Sequence, residues 1–176
     1  MTAPVRPASS KALQNTKWAF VPTIADISAP TVAELTGAST LDISCYIYTS
    51  SDKPSQNVNR VTAPARVCDG AIYERLGTTT YSGGTMHVAW DPQAVAASAG
   101  KKAWETLAGG TTGYLVRRSG KGYATDFIAA DFVDVIPVEL AQPFPTTEGD
   151  GDAAENSFDS AYGVTGPPEW NATVAA

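Results

Sequence analysis

The chain has 176 residues, 43% hydrophobic and only 17% charged, and a formal net charge of −6. That length suits one domain able to bury about 70% of its unfolded surface without help from disulfides or metal. An acidic protein repels the phosphate backbone, which argues against ordinary DNA binding, and a charge content below the ~25% of typical soluble chains hints at surface buried against other copies.

Residues 1–16, beginning MTAPVRPASSK, read as a flexible arm that lacks the apolar core of a signal peptide. Nothing approaches the ~20 apolar residues of a membrane span, so no membrane insertion is expected, and the Asn171-Ala172-Thr173 sequon reads as accidental. Residues 17–176 read as a single domain. Lys17–Val21 predicts a short strand stopped by Pro22. Thr31–Leu35 predicts one helical turn, with Ser28 or Thr31 as cap and Gly37 as stop. In LDISCYIYT, Leu41–Thr49, strict alternation predicts a strand with Leu41, Ile43, Cys45 and Ile47 on a core face. Asp42, Ser44, Tyr46 and Tyr48 fall on the opposite face.

A long polar loop, Ser50–Ala65, follows, and its length is uncommon in a compact domain unless it has a task or is disordered. Strands are predicted near Arg66–Leu76 and over Thr78–Asp91, with Met86, Val88 and Trp90 on one face and Ser82-Gly83-Gly84 as a hairpin turn. Asp91-Pro92 signals helix entry, and Ala94–Ala108 reads as a helix interrupted by Gly100, anchored by Trp104 and Leu107 and ended by Gly109-Gly110. Gly113–Arg118 and Asp131–Leu140 predict a strand pair, in which Pro137 implies an edge or a bulge. Thr146–Glu155 reads as a flexible acidic loop, Phe158–Val164 as a strand, Gly166-Pro167-Pro168 as a turn and Asn171–Ala175 as a last short strand. The fold class is mainly β with one flanking α-helix, an antiparallel β-sandwich or partly closed barrel.

Charge is unevenly placed. Residues 1–121 carry twelve Lys/Arg and eight Asp/Glu (+4), and residues 122–176 carry ten Asp/Glu and no Lys or Arg (−10). One reading is head-to-tail association, with Arg66, Arg117 and Arg118 meeting Asp126, Asp131, Asp134 and Glu155 of a neighbour. The other is an acidic solvated segment.

Catalytic and metal constellations are missing from the sequence. The one imidazole, His87, lies mid-strand and reads as a residue on a polar face, and no G-x-S-x-G elbow or phosphate-binding glycine motif occurs. Cys45 and Cys68 read as reduced, buried small hydrophobes that lack partners for a zinc site. Glu148-Gly149-Asp150-Gly151-Asp152 is only faintly like a calcium loop. We expect no enzyme, no metal and no cofactor. Trp18, Trp90, Trp104 and Trp170 offer stacking surfaces, though two of these fall on faces read as core.

The segments KWAFVPTIADISAPTVAEL, LDISCYI, RVCDG, HVAWDPQ, AWETLAGGTTGYLVRR, FVDVIPVEL and VTGPPEWN span residues 17–171 in order. Together they resemble the major tail (tail tube) proteins of long-tailed phages that infect actinobacteria. The resemblance implies a β-sandwich with a flanking helix, six copies to a ring, and rings stacked as a hollow tube for genome delivery. One sheet of each copy would join a barrel around the lumen, and a long loop, here residues 50–65, would reach the next ring. Lys53, Gln56, Asn57 and Arg60 are then the inter-ring candidates, and Asp42, Ser44, Tyr46 and Tyr48 the lumen candidates. Implied partners are other copies, tape-measure, tail-terminator and tail-tip proteins, and DNA that passes without specific binding. The implied location is the virion, after assembly in the host cytoplasm. Ser157–Thr165 is less hydrophobic than that family's strand. Rival readings are a carbohydrate-binding β-sandwich (an adhesin or tail-tip module), a tube subunit of a contractile tail or injection machine, and an acid-paired hydrolase.

Overall fold

The computed structural model describes residues 9–176. The first eight residues of the expected arm lie outside the described residues; from Ser9 to Asn15 the chain is irregular, and β1 runs over Thr16–Val21. Helix α1, Val32–Thr36, forms where expected. Thr31 and Glu34 build a capping box, in which the Glu34 N–H donates to Thr31 Oγ1 and the Thr31 N–H to Glu34 Oε2, and Gly37 is the C-cap.

The strand expected over Leu41–Thr49 is corrected to the two residues of β2, Leu41–Asp42. Local hydrogen bonds win over alternation here. Asp42 Oδ1 accepts from the Ser44 N–H at 3.0 Å and from its hydroxyl at 2.6 Å, and Ile43 O accepts the N–H groups of Tyr46 and Ile47. The chain turns at Ser44–Tyr46, so Leu41 and Ile43 are buried but Cys45 is exposed.

The expected loop Ser50–Ala65 and the strand at Arg66–Leu76 are also corrected. β3, Ser55–Thr62, pairs antiparallel with β4, Glu74–Ser82, as a separate two-stranded ribbon closed by residues 63–73. Neither face of this ribbon is covered, so its sequence carries no alternation to read. Ser82-Gly83 is a junction into β5, Gly84–Ala89, rather than a hairpin turn, because β4 pairs with β3 whereas β5 pairs elsewhere.

The helix expected from Ala94 is shorter. Asp91 Oδ1 accepts the Gln93 N–H at 3.0 Å, turns occupy the residues up to Ser98, and α2 spans Ala99–Thr106. Gly100 lies inside it. Strands β6, Thr112–Ser119, and β7, Phe132–Leu140, pair as expected. β8, Phe144–Glu148, and β9, Glu155–Val164, form a hairpin where a loop was expected, with a 3₁₀ turn at Gly151–Ala153. β10 is Glu169–Thr173.

The main sheet runs β2-β1-β6-β7-β9-β5, with β10 beside β7 and β8 beside β9. β7 is central, which corrects the edge or bulge expected at Pro137. That residue sits where the second side of β7 passes from β10 (ending at Val135) to β9 (starting at Val138), a gap in which a missing N–H costs little, and its carbonyl accepts from Thr165.

The sheet curls into an antiparallel half-barrel. One side packs Phe20, Leu115, Ile136, Val138 and Leu140 with Met86, Val88, Phe158 and the α2 segment (Ala103, Leu107). The other side packs Val21, Val116, Val133 and Val135 against Leu35 and Phe127. In β9, Ser157 and Ser160 are fully buried beside Phe158.

Candidate assembly surfaces

An exposed ribbon stands apart from the core, and an open groove beside its root reaches down to it. The ribbon buries no residue, and its closed end presents Val61, Val67, Ile72, Tyr73 and Leu76 to solvent, with Ile72 70% and Leu76 76% exposed. An isolated two-stranded hairpin is marginal in water, so this one calls for further contacts. Its root is held firmly. The Asp52 N–H donates to Thr85 O at 2.9 Å, the Thr85 N–H donates back to Asp52 Oδ2 at 3.3 Å, and Tyr162 Oη donates to Asp52 O at 3.0 Å. At the exit strand, a Cβ on Gly83 would lie 1.8 Å from Tyr162 O. Entry and exit are therefore fixed against β5 and β9, and the ribbon's direction is set by the domain.

The groove, about 540 Å³, is lined by Trp18, Ile43, Cys45, Met86, Leu115 and Tyr162 among others. Asp52 and Lys53, at the ribbon root, form part of its rim. The β8–β9 hairpin end carries the acids Glu148, Asp150, Asp152 and Glu155. Tyr48 Oη donates to Glu155 Oε2 at 2.7 Å and Ser50 Oγ donates to Glu148 Oε1 at 2.6 Å, which ties that end to the groove-lining stretch. Burial, reinforced by the neighbouring Glu155 carboxylate, pushes the Tyr48 hydroxyl up to about 12, so it remains a donor at any physiological pH.

The expected inter-ring residues are strung along the ribbon. Lys53 stands at the root, and Gln56, Asn57 and Arg60 are exposed along β3 opposite Tyr81, Thr80 and Leu76. The expected lumen residues do not share a strand face. Asp42 accepts from Lys17 at 2.9 Å, Ser44 Oγ accepts the Trp18 N–H at 2.9 Å, Tyr46 packs on the core, and Tyr48 holds Glu155.

The intermolecular charge pairs expected at Arg117 and Arg118 are corrected too. Arg117 pairs with Asp134 at 2.6 Å and Arg118 with Asp131 at 3.0 Å within one chain, the latter sealed from solvent. Cross-strand register explains the first, since Arg117 faces Asp134 directly. Arg66 and Glu155 remain exposed. Cys45 and Cys68 are exposed rather than buried. His87 Nδ1 lies 2.7 Å from Asp159 Oδ1 across β5 and β9, as a paired polar strand residue.

Sequence reasoning missed the apolar ribbon end, whose Val67, Ile72, Tyr73 and Leu76 follow no period that would mark them. Among the described residues no cluster of three or more His, Cys, Asp or Glu is arranged to hold a metal, and no helix is long and apolar enough to cross a membrane.

The profile of one protein family, described as phage tail tube protein, matches residues 3–176. No curated protein matches the sequence. Among solved structures, a chain of the anti-feeding prophage baseplate, determined by cryo-electron microscopy with six-fold symmetrisation, superposes with a TM-score of 0.47 at 6% identity, covering 98% of this chain and 95% of that one.

Proposed function

Since the chain belongs to the phage tail tube protein family, we propose that six copies close into a ring and that rings stack as the tube of a long, non-contractile phage tail. The genome passes through this tube to the host, an actinobacterium in the resemblance of the sequence motifs. The protein is a structural, non-enzymatic part of the virion, assembled in the host cytoplasm. Its neighbours there are the tape-measure protein inside the tube and the terminator and tip proteins at its ends. A copy carries −6, so a ring of six carries a formal −36 (six times −6), which suits passage of a polyanion without sticking.

The observation that carries this reading is the ribbon of β3 and β4, which is rooted rigidly, uncovered on both faces and apolar at its end. A monomer gains nothing from such an element; a stack of copies does. Negative-stain electron microscopy of the purified protein tests the reading. Tubes or six-fold rings are the expected result, and particles that remain monomeric at every concentration overturn it. Replacing Lys53–Ser82 by a short Gly-Ser linker is expected to leave a folded domain that no longer stacks.

A further inference from the structure

The groove is built asymmetrically. Its floor is apolar, made by Trp18, Ile43, Met86, Leu115 and Tyr162. Polar donors gather where β6 ends: Arg117 and Ser119 from that strand, Tyr123 from the loop after it, and Gln14 from the stretch before β1. Two cations line the groove, Lys53 and Arg117, against one acid, Asp52. That acid lies against β5 and β9 rather than β6, and its Oδ2 accepts the Thr85 N–H. We propose that the groove binds a free single-chain aliphatic carboxylate, with its head on Arg117 and its chain along the apolar floor. This site is independent of the tube reading.

Arg117 is held ready for an anion. Its Nε and Nη2 donate to Asp134 Oδ2 at 2.9 and 2.6 Å, and the guanidinium lies 5.7 Å from the centre of the Trp18 ring. Asp134 Oδ1 accepts the Asn171 N–H at 3.1 Å, so both carboxylate oxygens are engaged and the fork is fixed in one orientation. Nη1 donates to nothing among the described residues. It is the donor left over, on the side chain whose geometry best suits a carboxylate. Lys53 makes no ion pair among the described residues and adds positive potential at the rim.

The wall around this donor cluster is pre-formed. Gln14 adopts a left-handed backbone at φ 62°, and its carbonyl accepts the Tyr123 N–H at 3.1 Å. Asn15 O accepts the Gly120 N–H at 2.8 Å, which ties the stretch before β1 to the loop after β6. Little ordering is then left for a ligand to impose. The volume of about 540 Å³ falls within the ~300–1,000 Å³ of small-ligand sites, which pair apolar walls with a few convergent polar groups. Burial of the chain supplies affinity, and the head contact sets direction. A neutral or cationic amphiphile meets the same floor without a partner for its head.

The two cysteines report on occupancy. Cys45 lines the groove, Cys68 lies in the segment that closes the ribbon, and both are exposed. The unpolymerised fraction of the purified protein is labelled with a mono-maleimide in sodium dodecanoate below its micellar concentration. Peptide mass spectrometry follows each cysteine separately. Dodecanoate is expected to slow labelling of Cys45 severalfold and to leave Cys68 unchanged, whereas dodecan-1-ol and dodecyltrimethylammonium protect far less. Absence of protection at Cys45 overturns the proposal. Equal protection by the alcohol also overturns it, as does protection of both cysteines, the mark of detergent-like coating. In calorimetry, Arg117→Gln and Arg117→Lys are each expected to weaken dodecanoate binding by about tenfold or more, through loss of the guanidinium hydrogen bond. Binding as tight as wild type in either folded variant overturns the head-group assignment, and the three head groups on wild type decide the matter if neither variant folds.

Discussion

Arg118 donates to Asp131 at 3.0 Å with neither side chain reaching solvent. The guanidinium also donates to the carbonyls of Gly122, Thr125 and Asp126, so one buried cation organises the loop between β6 and β7. Burial alone would raise the Asp131 pKa, but the Lys121 ammonium, the Ile128 N–H and Arg118 outweigh it and hold the carboxyl below its usual range. For a carboxylate depressed in this way, the stabilising contribution is complete above the unfolded pKa and disappears as pH falls through the folded one. Asp131→Asn strands the buried charge of Arg118 and is expected to cost about 3–5 kcal/mol at neutral pH. Below about pH 4 the gap to wild type should shrink, because the unfolded chain's Asp131 carboxyl takes up its proton there while the folded one, held lower, does so only at more acid pH. Urea unfolding at pH 7 and pH 3 checks both; an equal gap at the two pH values counts against the account.

Trp90 and Trp104 stack at 4.2 Å between centroids, and Phe158 meets both edge-on. This stack is what fixes α2 to the sheet. Both indoles are half-buried, so Trp104→Ala is expected to cost about 2–4 kcal/mol, at or under the range of a fully buried aromatic. The variant should also lose the exciton signal of paired indoles in the circular dichroism spectrum. A melt unmoved by the substitution would mean that α2 is held by Ala103 and Leu107.

Gly83 is where the ribbon leaves β5, and a methyl group there meets the Tyr162 carbonyl. Backbone cannot yield as a side chain does, so Gly83→Ala is expected to destabilise the subunit by about 1–3 kcal/mol. It should also re-aim the ribbon, and tube yield should therefore fall by more than the stability loss explains. Comparing thermal melts with pelleted polymer separates the two effects.

Salt should act on the speed of assembly more than on the finished tube. Raising salt from about 0.05 to 0.5 M shortens the screening length from roughly 14 to 4 Å. Any steering between unlike charges on neighbouring copies is then lost, while apolar contacts persist. Light scattering should show slower growth at high salt, and finished tubes moved to that buffer should remain intact. Growth rates indifferent to salt would assign the acidic hairpin end to solvent.

Where one face of a segment was covered, or a capping residue was present, the sequence was legible. Thr31 with Glu34 marked α1, and the runs of β1, β6 and β7 carried their own apolar pattern. Leu41–Thr49 misled because its alternation was real but Asp42 and Ser44 offered the backbone closer partners than a neighbouring strand. The ribbon was illegible for the opposite reason: with both faces open, nothing selected an apolar period, and only its length was visible. Arg117 and Arg118 were read as reaching another copy because pairing with Asp134 and Asp131 depends on register and loop path, which composition does not contain.

Asp52 anchors the ribbon and also forms part of the groove rim, and this shared position gives any stack a direction. In the proposed tube, every ribbon would leave its subunit on the same side, so the two extremities would be chemically unlike and a protein that seals one need not fit the other.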